Sequence, residues 1–592
     1  MNMNGKGKVK RWLLAGLACC CVSFASAGTP PFFPTGIALS DKGELVMSEK
    51  GMKRVDVFSP DGKELLRSFP VNEIPTGVIV DGDNVYVTTF ETTGCLHILS
   101  LASGEEKASI PTGSGACTPT FGPDKKYMYV CNQFQGTISE VDLASQKVVR
   151  TVKVLREPRS IVFSKDGKFM FVTNFLPAQR ADLDYVAACV SVIEMDGFTK
   201  VKDIQLANGS NALRGMCITP DGKYIYVSHN LGRYTVPTSQ LQQGWMNTSA
   251  FSVIDVEKQA FLGAVLVDEP ERGAAGIWSI ACNDESIFVS HSGTHEVSVI
   301  DHQAMLEKFL NYPDKSLLDY DLTFLYGLRE RIPLQGNGPR CMVLTEDKLI
   351  VPTYFADVLN FMDIQTHEIT AVSLNPDREE SIENKGERYF NDASHCFQNW
   401  QSCNGCHPGD ARTDGMNWDL MNDGVGNSKN CKSLLFSHMT PPNMISGIRE
   451  HAEKAVRAGF NFIQFFDVSE EDAVCVDAYL KALRPVPSPY LVNGELSELA
   501  KEGKEVFEKL KCGECHSGVY YTDMKYHRIG EDIEFEKGWD TPTLREVWRT
   551  APYLFDGRAA TMEEVYSVYK HGIDKKVSKK EIEALTEYVN SL

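Results

Sequence analysis

The first 375 residues alternate apolar and polar positions in short runs separated by Asp/Gly-rich turns, the pattern of half-buried strands. Three segments stand in register: 122–133 (GPDKKYMYVCNQ), 164–175 (SKDGKFMFVTNF) and 219–230 (TPDGKYIYVSHN). Degenerate copies lie at 80–90, 282–292 and 345–355, and most copies precede a second strand ending in a Val-x-Asp-like pair, as in TISEVDL, FSVIDV and VSVIDH. Counting from residue 37, seven copies end near Leu374, at a spacing of ~40–60 residues, the range of four-stranded propeller blades. The lack of a helical period disfavours a solenoid. After Asn375 the period becomes helical: SIENKGERYFNDAS, SEEDAVCVDAYLKALRPVP and LSELAKEGKEVFEKLKCGECH each predict an amphipathic helix.

The repeat resembles the YVTN-type β-propeller repeat, seen as Tyr226-Val227-Ser228-His229. Equivalent residues of the copies (Thr89, Asn132, Asn174, His229, His291 and Thr353) are expected around one end of the central channel. There His229 and His291 serve either as metal or substrate contacts or as ordinary polar residues of a wet mouth. An insert at 231–249, rich in polar and aromatic residues, is placed either to grip a partner or ligand or to pack on the helical half.

The helical half carries two CxxCH motifs, Cys403-Asn404-Gly405-Cys406-His407 and Cys512-Gly513-Glu514-Cys515-His516. Two thiols three residues apart on one turn reach both vinyl groups of a haem, and the next residue offers its imidazole to the iron. A zinc site or a redox dithiol needs only CxxC and leaves both histidines unexplained. Two covalent c-type haems are therefore expected, with His407 and His516 as proximal ligands. The motifs lie in a duplication, because SLLFSHMTPPNMISG (433–447) matches TLREVWRTAPYLFDG (543–557). The expected fold is a signal peptide (1–27), a seven-bladed β-propeller (28–376) and two tandem all-α cytochrome c domains (380–488 and 489–592).

DTPTLREVWRTAPYLFDGRAATMEEV (540–565) resembles the C-terminal signature of the bacterial di-haem cytochrome c peroxidase and MauG-like superfamily, over about residues 380–592. The resemblance implies one electron-transferring haem, one haem that meets peroxide, and a calcium ion between the two domains at Asn430, Thr550 and Pro552. Four positions depart from it. Ile445 stands where the family has its inter-haem tryptophan, Asn461 where a glutamate assists peroxide cleavage and Phe555 where a histidine precedes Asp-Gly. No histidine occurs from Pro408 to Ser437, where the peroxidases have a distal one. The missing glutamate removes the obvious general acid–base for O–O cleavage. Sixth-ligand candidates for the second haem are His571, which is preferred, and Tyr569. For the first they are Met416, Met421 and His438, with five-coordination equally open. Trp418 and Trp548 are the aromatic groups best placed to relay electrons.

These features predict an exported di-haem oxidoreductase with the propeller as substrate or partner platform. The alternatives are a pure electron-transfer cytochrome and a ligand-binding redox sensor. The partner is an electron donor or acceptor protein, or a small-molecule reductant.

Composition constrains the setting. Lys6, Lys8, Lys10 and Arg11, an apolar stretch at 12–24 and Ala25-Ser26-Ala27 form a secretory signal, which places the protein in the periplasm or at the cell surface. Cys19 to Cys21 fit a lipoprotein signal poorly, so no lipid anchor is expected. The formal charge of −19 becomes −23 once the four signal cations are removed, which argues against nucleic acid and anionic membranes and suits a basic redox partner. No later segment is apolar for long enough to span a bilayer. Cys95, Cys117, Cys131, Cys189, Cys217, Cys282 and Cys341 read as buried free thiols, and one disulfide is expected among Cys396, Cys431 and Cys475.

Overall fold

The recurring turn is built by its own side chains. In the fifth copy the Asp221 carboxylate accepts from Thr219 Oγ1 (2.7 Å) and from Lys223 N (3.0 Å), and Thr219 Oγ1 accepts from Tyr224 N (3.1 Å). Gly222 takes the left-handed conformation that closes the turn (φ 79°). The fourth copy repeats this with Ser164, Asp166 and Gly167. The strand after each turn is buried along nearly its whole length, as in Phe169–Asn174 and Ile287-containing Ser286–His291, because neighbouring sheets cover both of its faces.

In a computed structural model that describes residues 29–235, 246–420, 426, 428–529 and 536–592, these strands form seven antiparallel sheets in succession. Each is a meander from one continuous stretch, running from Pro34–Pro70 in blade 1 to Val343–Ser373 in blade 7. The chain is a seven-bladed β-propeller in this half. The ring closes without a shared strand. Phe32, Met47 and Phe58 of blade 1 pack with Ile350, Leu359 and Phe361 of blade 7. The buried Asp357 accepts from Phe32 N at 3.0 Å and from Asn375 Nδ2 at 3.0 Å. Blade 6 holds an unanticipated helix, His302–Leu310, capped by Asp301 between its third and fourth strands.

From residue 381 the predicted helices are present, each opened by a serine whose hydroxyl accepts a backbone N–H: Ser381, Ser469 and Ser497. Ile382–Asn391 packs on Glu470–Ala482, and Glu498–Lys509 packs on Lys579–Asn590. Both crossings are closed at a glycine. A Cβ on Gly386 would sit 1.9 Å from Cys475 O, and one on Gly503 1.9 Å from Ala584 O. The same ring pair flanks each crossing, Phe390–Tyr479 and Phe507–Tyr588, both with centroids 5.4 Å apart. The duplication read from the sequence is thus a structural one. This half is not all helix, however: long loops and two-stranded ladders such as Asn417–Trp418 with Lys429–Asn430 occupy much of it.

Residues 1–28 and Met421 lie outside the described residues, so the expected signal segment and that ligand candidate have no structural counterpart here. No helix among the described residues is long and apolar enough to cross a membrane.

Candidate functional site

Cys403–Gly405 form a single 3₁₀ turn, with Cys406 at its end, and His407 N donates to Cys403 O at 3.0 Å. Both thiols and the imidazole therefore sit on one turn. Cys512–Glu514 repeat the arrangement, with His516 N donating to Cys512 O at 2.9 Å. In both motifs Nδ1 of the histidine faces the carbonyl five residues on: Arg412 O at 3.1 Å for His407, Tyr521 O at 3.2 Å for His516. An Nδ1–H donated there leaves Nε2 as the free ligating nitrogen. Burial lowers the pKa of both imidazoles, which keeps them in the neutral form that metal binding requires.

The two motifs differ in what stands opposite. Cys403, Cys406 and His407 line a cavity of about 570 Å³, whose far wall is Asp540–Thr543 of the second unit. Trp418 and Ile445 also line it, as does Met246 from the described end of the propeller insert. Asn247, next to Met246, places Nδ2 3.2 Å from Cys406 Sγ, so the described part of the insert packs on the helical half. In the second motif the ring of His571 lies 6.3 Å from that of His516, centroid to centroid. The pKa of His571 is lowered to about 4 by burial and by His516.

The remaining candidates are placed as follows. His438 turns to Asp477, with Nε2 3.0 Å from Oδ1, and does not line the cavity. Met416 is fully buried with its sulfur 3.8 Å from Asn211 Nδ2 of blade 5, and it too is not in the cavity wall. The Tyr569 hydroxyl donates to Arg558 O at 2.8 Å. Asn430 and Pro552 meet, the side-chain amide of Asn430 donating to the Pro552 carbonyl, while Asn430 Oδ1 is buried without a partner among the described residues. The Thr550 hydroxyl instead donates to Val547 O (3.0 Å). Trp418 donates Nε1–H to the buried Asp414 (2.9 Å), whereas Trp548 packs edge-on against Phe134 of blade 3.

Two expectations are corrected. His229 and His291 do not face the channel. Both are fully buried inside their blades, His229 between Ser252 Oγ (2.7 Å) and Asn230 O (2.9 Å), His291 between Ser298 Oγ (2.9 Å) and Ala274 O (3.0 Å). The repeat marks the second strand of each blade, whereas the first strand lines the channel. Cys396, Cys431 and Cys475 are all free thiols. Cys431 lies at the first motif, its sulfur 3.5 Å from His407 Nδ1. Sequence reasoning also missed the Lys432–Asp540 ion pair across the cavity (2.8 Å).

A buried junction joins three parts of the chain. Arg549 Nε meets Glu157 Oε1 of blade 4 at 3.1 Å, and Arg549 also lies 3.6 Å from Glu546. Glu546 in turn binds Arg412, five residues after His407, at 2.7 Å. Arg156 of the propeller adds hydrogen bonds to the carbonyls of Arg549 (2.6 Å) and Ala551 (2.5 Å).

Residues 80–187 match the cytochrome D1 heme domain family. The chain is 28% identical over 272 residues to hydrazine synthase subunit gamma of Kuenenia stuttgartiensis, covering 35% of this chain and 76% of that protein. It is 24% identical over 218 residues to hydrazine synthase subunit beta of the same organism (36% and 54%). It is 22% identical over 199 residues to cytochrome c551 peroxidase of Nitrosomonas europaea (28% and 60%). The matches to the last two thus span little more than half of those proteins. Among solved structures, a chain of Kuenenia stuttgartiensis hydrazine synthase superposes with a TM-score of 0.51 at 20% identity, over 60% of this chain and 98% of that one, a likeness of fold. Together these mark a propeller-containing, haem-related redox protein.

Proposed function

We propose that this chain is an exported di-haem oxidoreductase in which the first haem is the reaction site and the second carries electrons. The observation that carries the reading is the contrast opposite the two proximal histidines. His516 and His571, with ring centroids 6.3 Å apart, would be near enough to hold one haem iron between them. His407 instead borders open space, and neither His438 nor Met416 reaches it. Cys403, Cys406 and His407 would hold the first haem, and Cys512, Cys515, His516 and His571 the second, in two tandem cytochrome c domains. Bound there, the haems would supply one-electron redox chemistry and, at the open site, an iron coordination position for a small ligand.

The chain's own groups at the first pocket suit a small polar substrate. Asp540 lines the cavity, its pKa raised by burial against the opposing charge of Lys432, and its Oδ1 is buried without a hydrogen-bond partner. That oxygen can hold or release a proton beside a reacting ligand. Asn461 and Phe555, in place of the peroxidase glutamate and histidine, weigh against peroxide. Similarity to two hydrazine synthase subunits favours a small nitrogen compound as substrate. A calcium ion would take the free Asn430 Oδ1 and the Pro552 carbonyl. Export to the periplasm or cell surface follows from residues 1–27.

The test is carbon monoxide titration of the reduced holoprotein. One carbon monoxide per chain is expected, because only the first iron is open. Binding of two or of none would overturn the assignment.

A further inference from the structure

The innermost strands of the blades repeat a short pattern that the second-strand motif conceals: Pro34-Thr35-Gly36, Pro75-Thr76-Gly77, Pro158-Arg159-Ser160 and Pro339-Arg340-Cys341. The register with the second strand slips at Thr35, Thr76, Arg159 and Trp278, so these side chains leave the sheet at the channel mouth. Arg214 holds the corresponding place in blade 5, its N–H bonded to Ser228 O. The mouth is therefore lopsided. Threonines occupy it on blades 1 and 2, and blades 4 to 7 supply Arg159, Arg214, Trp278 and Arg340.

These side chains stack in alternation. The Arg159 guanidinium lies 4.4 Å over Phe175, and Arg214 lies 5.5 Å over the same ring and 4.2 Å over Trp278. Arg340 covers the same Trp278 at 4.3 Å and Tyr354 at 4.0 Å. Among the described residues neither Arg214 nor Arg340 forms an ion pair. Arg214 is 9% exposed, donates only long bonds to the carbonyls of Ile277 (3.3 Å) and Ala212 (3.5 Å), and leaves Nη2 buried without a partner. Arg340 reaches only Ser292 Oγ and Asn391 Oδ1. Arg159 Nε is likewise unpartnered, and its nearest carboxylate, Glu157 at 3.4 Å, is held more closely by Arg549.

Aromatic faces return ~0.5–2 kcal/mol per cation, less than the several kcal/mol lost when a charge is buried. Three such cations at one mouth call for an anion. The first haem segment covers this mouth: Gly409 approaches Phe175, where an added Cβ would lie 3.3 Å from the ring. Asp410 keeps accessible surface there. Burial penalises its charge, but Lys50, Arg549, Arg412 and Arg159 outweigh that and hold its carboxyl well below the usual range. Solvent therefore reaches Asp410 in the space between the propeller mouth and the Cys403–His407 segment, a recess that these cations border.

We infer that this recess is a binding site for a small inorganic oxyanion, held by Arg159, Arg214 and Arg340 at the propeller mouth. A guanidinium fork matches paired oxygens of such an ion. The inference does not depend on the ligation of either haem.

The test is calorimetry on the full holoprotein with nitrate and, separately, sulfate, at an ionic strength held constant with chloride. One anion per chain is expected, with affinity weakened at least tenfold in Arg214→Met and in Arg340→Met. The arm that binds shows whether the recess takes a trigonal or a tetrahedral ion. The wild-type melting temperature should also rise in that anion relative to chloride, a readout that needs no variant. Flat wild-type isotherms with equal melting temperatures, or unchanged affinity in both variants, would overturn the site. So would binding seen only in Asp410→Asn, because Asp410 would then be the permanent occupant.

Discussion

Arg549→Met should destabilise the protein by about 3–5 kcal/mol, the cost of leaving buried carboxylates unpaired. Both partners are almost inaccessible, with Arg549 and Glu157 side chains 3% and 5% exposed. Met fills the space of the stem without replacing the charge, so Glu157 of blade 4 loses its closest cation and Glu546 keeps Arg412 and the Val486 backbone N–H. The loss should show in chemical denaturation as weaker coupling between the propeller and the helical half. Acid reads the same junction. Burial raises the Glu157 pKa, but Arg549, Arg159 and Arg156 outweigh it and bring it to about 2 from an ordinary 4.5. A depressed carboxylate pKa stabilises the fold above the unfolded value and loses that contribution as pH falls through the folded one. About 3 kcal/mol should therefore disappear between pH 4.5 and 2 in the wild type. In Arg549→Met the acid transition should begin at higher pH. A variant as stable as wild type, with an unshifted acid transition, would show that the junction is not a tether.

His571→Ala should change the second haem without removing it. On the proposed assignment Cys512 and Cys515 would still anchor it and His516 would keep its bond to Tyr521 O, so two covalent haems per chain should remain by mass. The imidazole proposed to face His516 across the iron would be gone, however. The reduced variant should bind two carbon monoxide molecules per chain where wild type binds one, and its second iron should become high-spin. Tyr569→Phe should leave both properties unchanged, because the Tyr569 hydroxyl is engaged with Arg558 O. One carbon monoxide per chain in His571→Ala would remove His571 from the coordination sphere.

The blade count was legible because each turn is local chemistry: Asp221, Thr219 and Gly222 close a loop within six residues. Burial on both faces makes the second strand the most regular, so it dominates the repeat, and that same regularity drew the channel prediction to the wrong strand. The helix pairs and the paired CxxCH turns were legible for similar reasons, since capping serines, amphipathic spacing and CxxCH are all short-range. What the sequence could not show were long-range partners. Met416 meets Asn211 across 205 positions and Arg549 meets Glu157 across 392. His438 is drawn to Asp477, 39 residues on, and away from the cavity. Each side chain's destination is decided by a residue that no local pattern marks.

Electron paramagnetic resonance of the oxidised holoprotein tests the division between a reaction haem and an electron-transfer haem most directly. One low-spin ferric signal from the iron between His516 and His571 is expected, with an equal amount of high-spin iron at His407. Two low-spin signals in the resting protein would contradict an open first site.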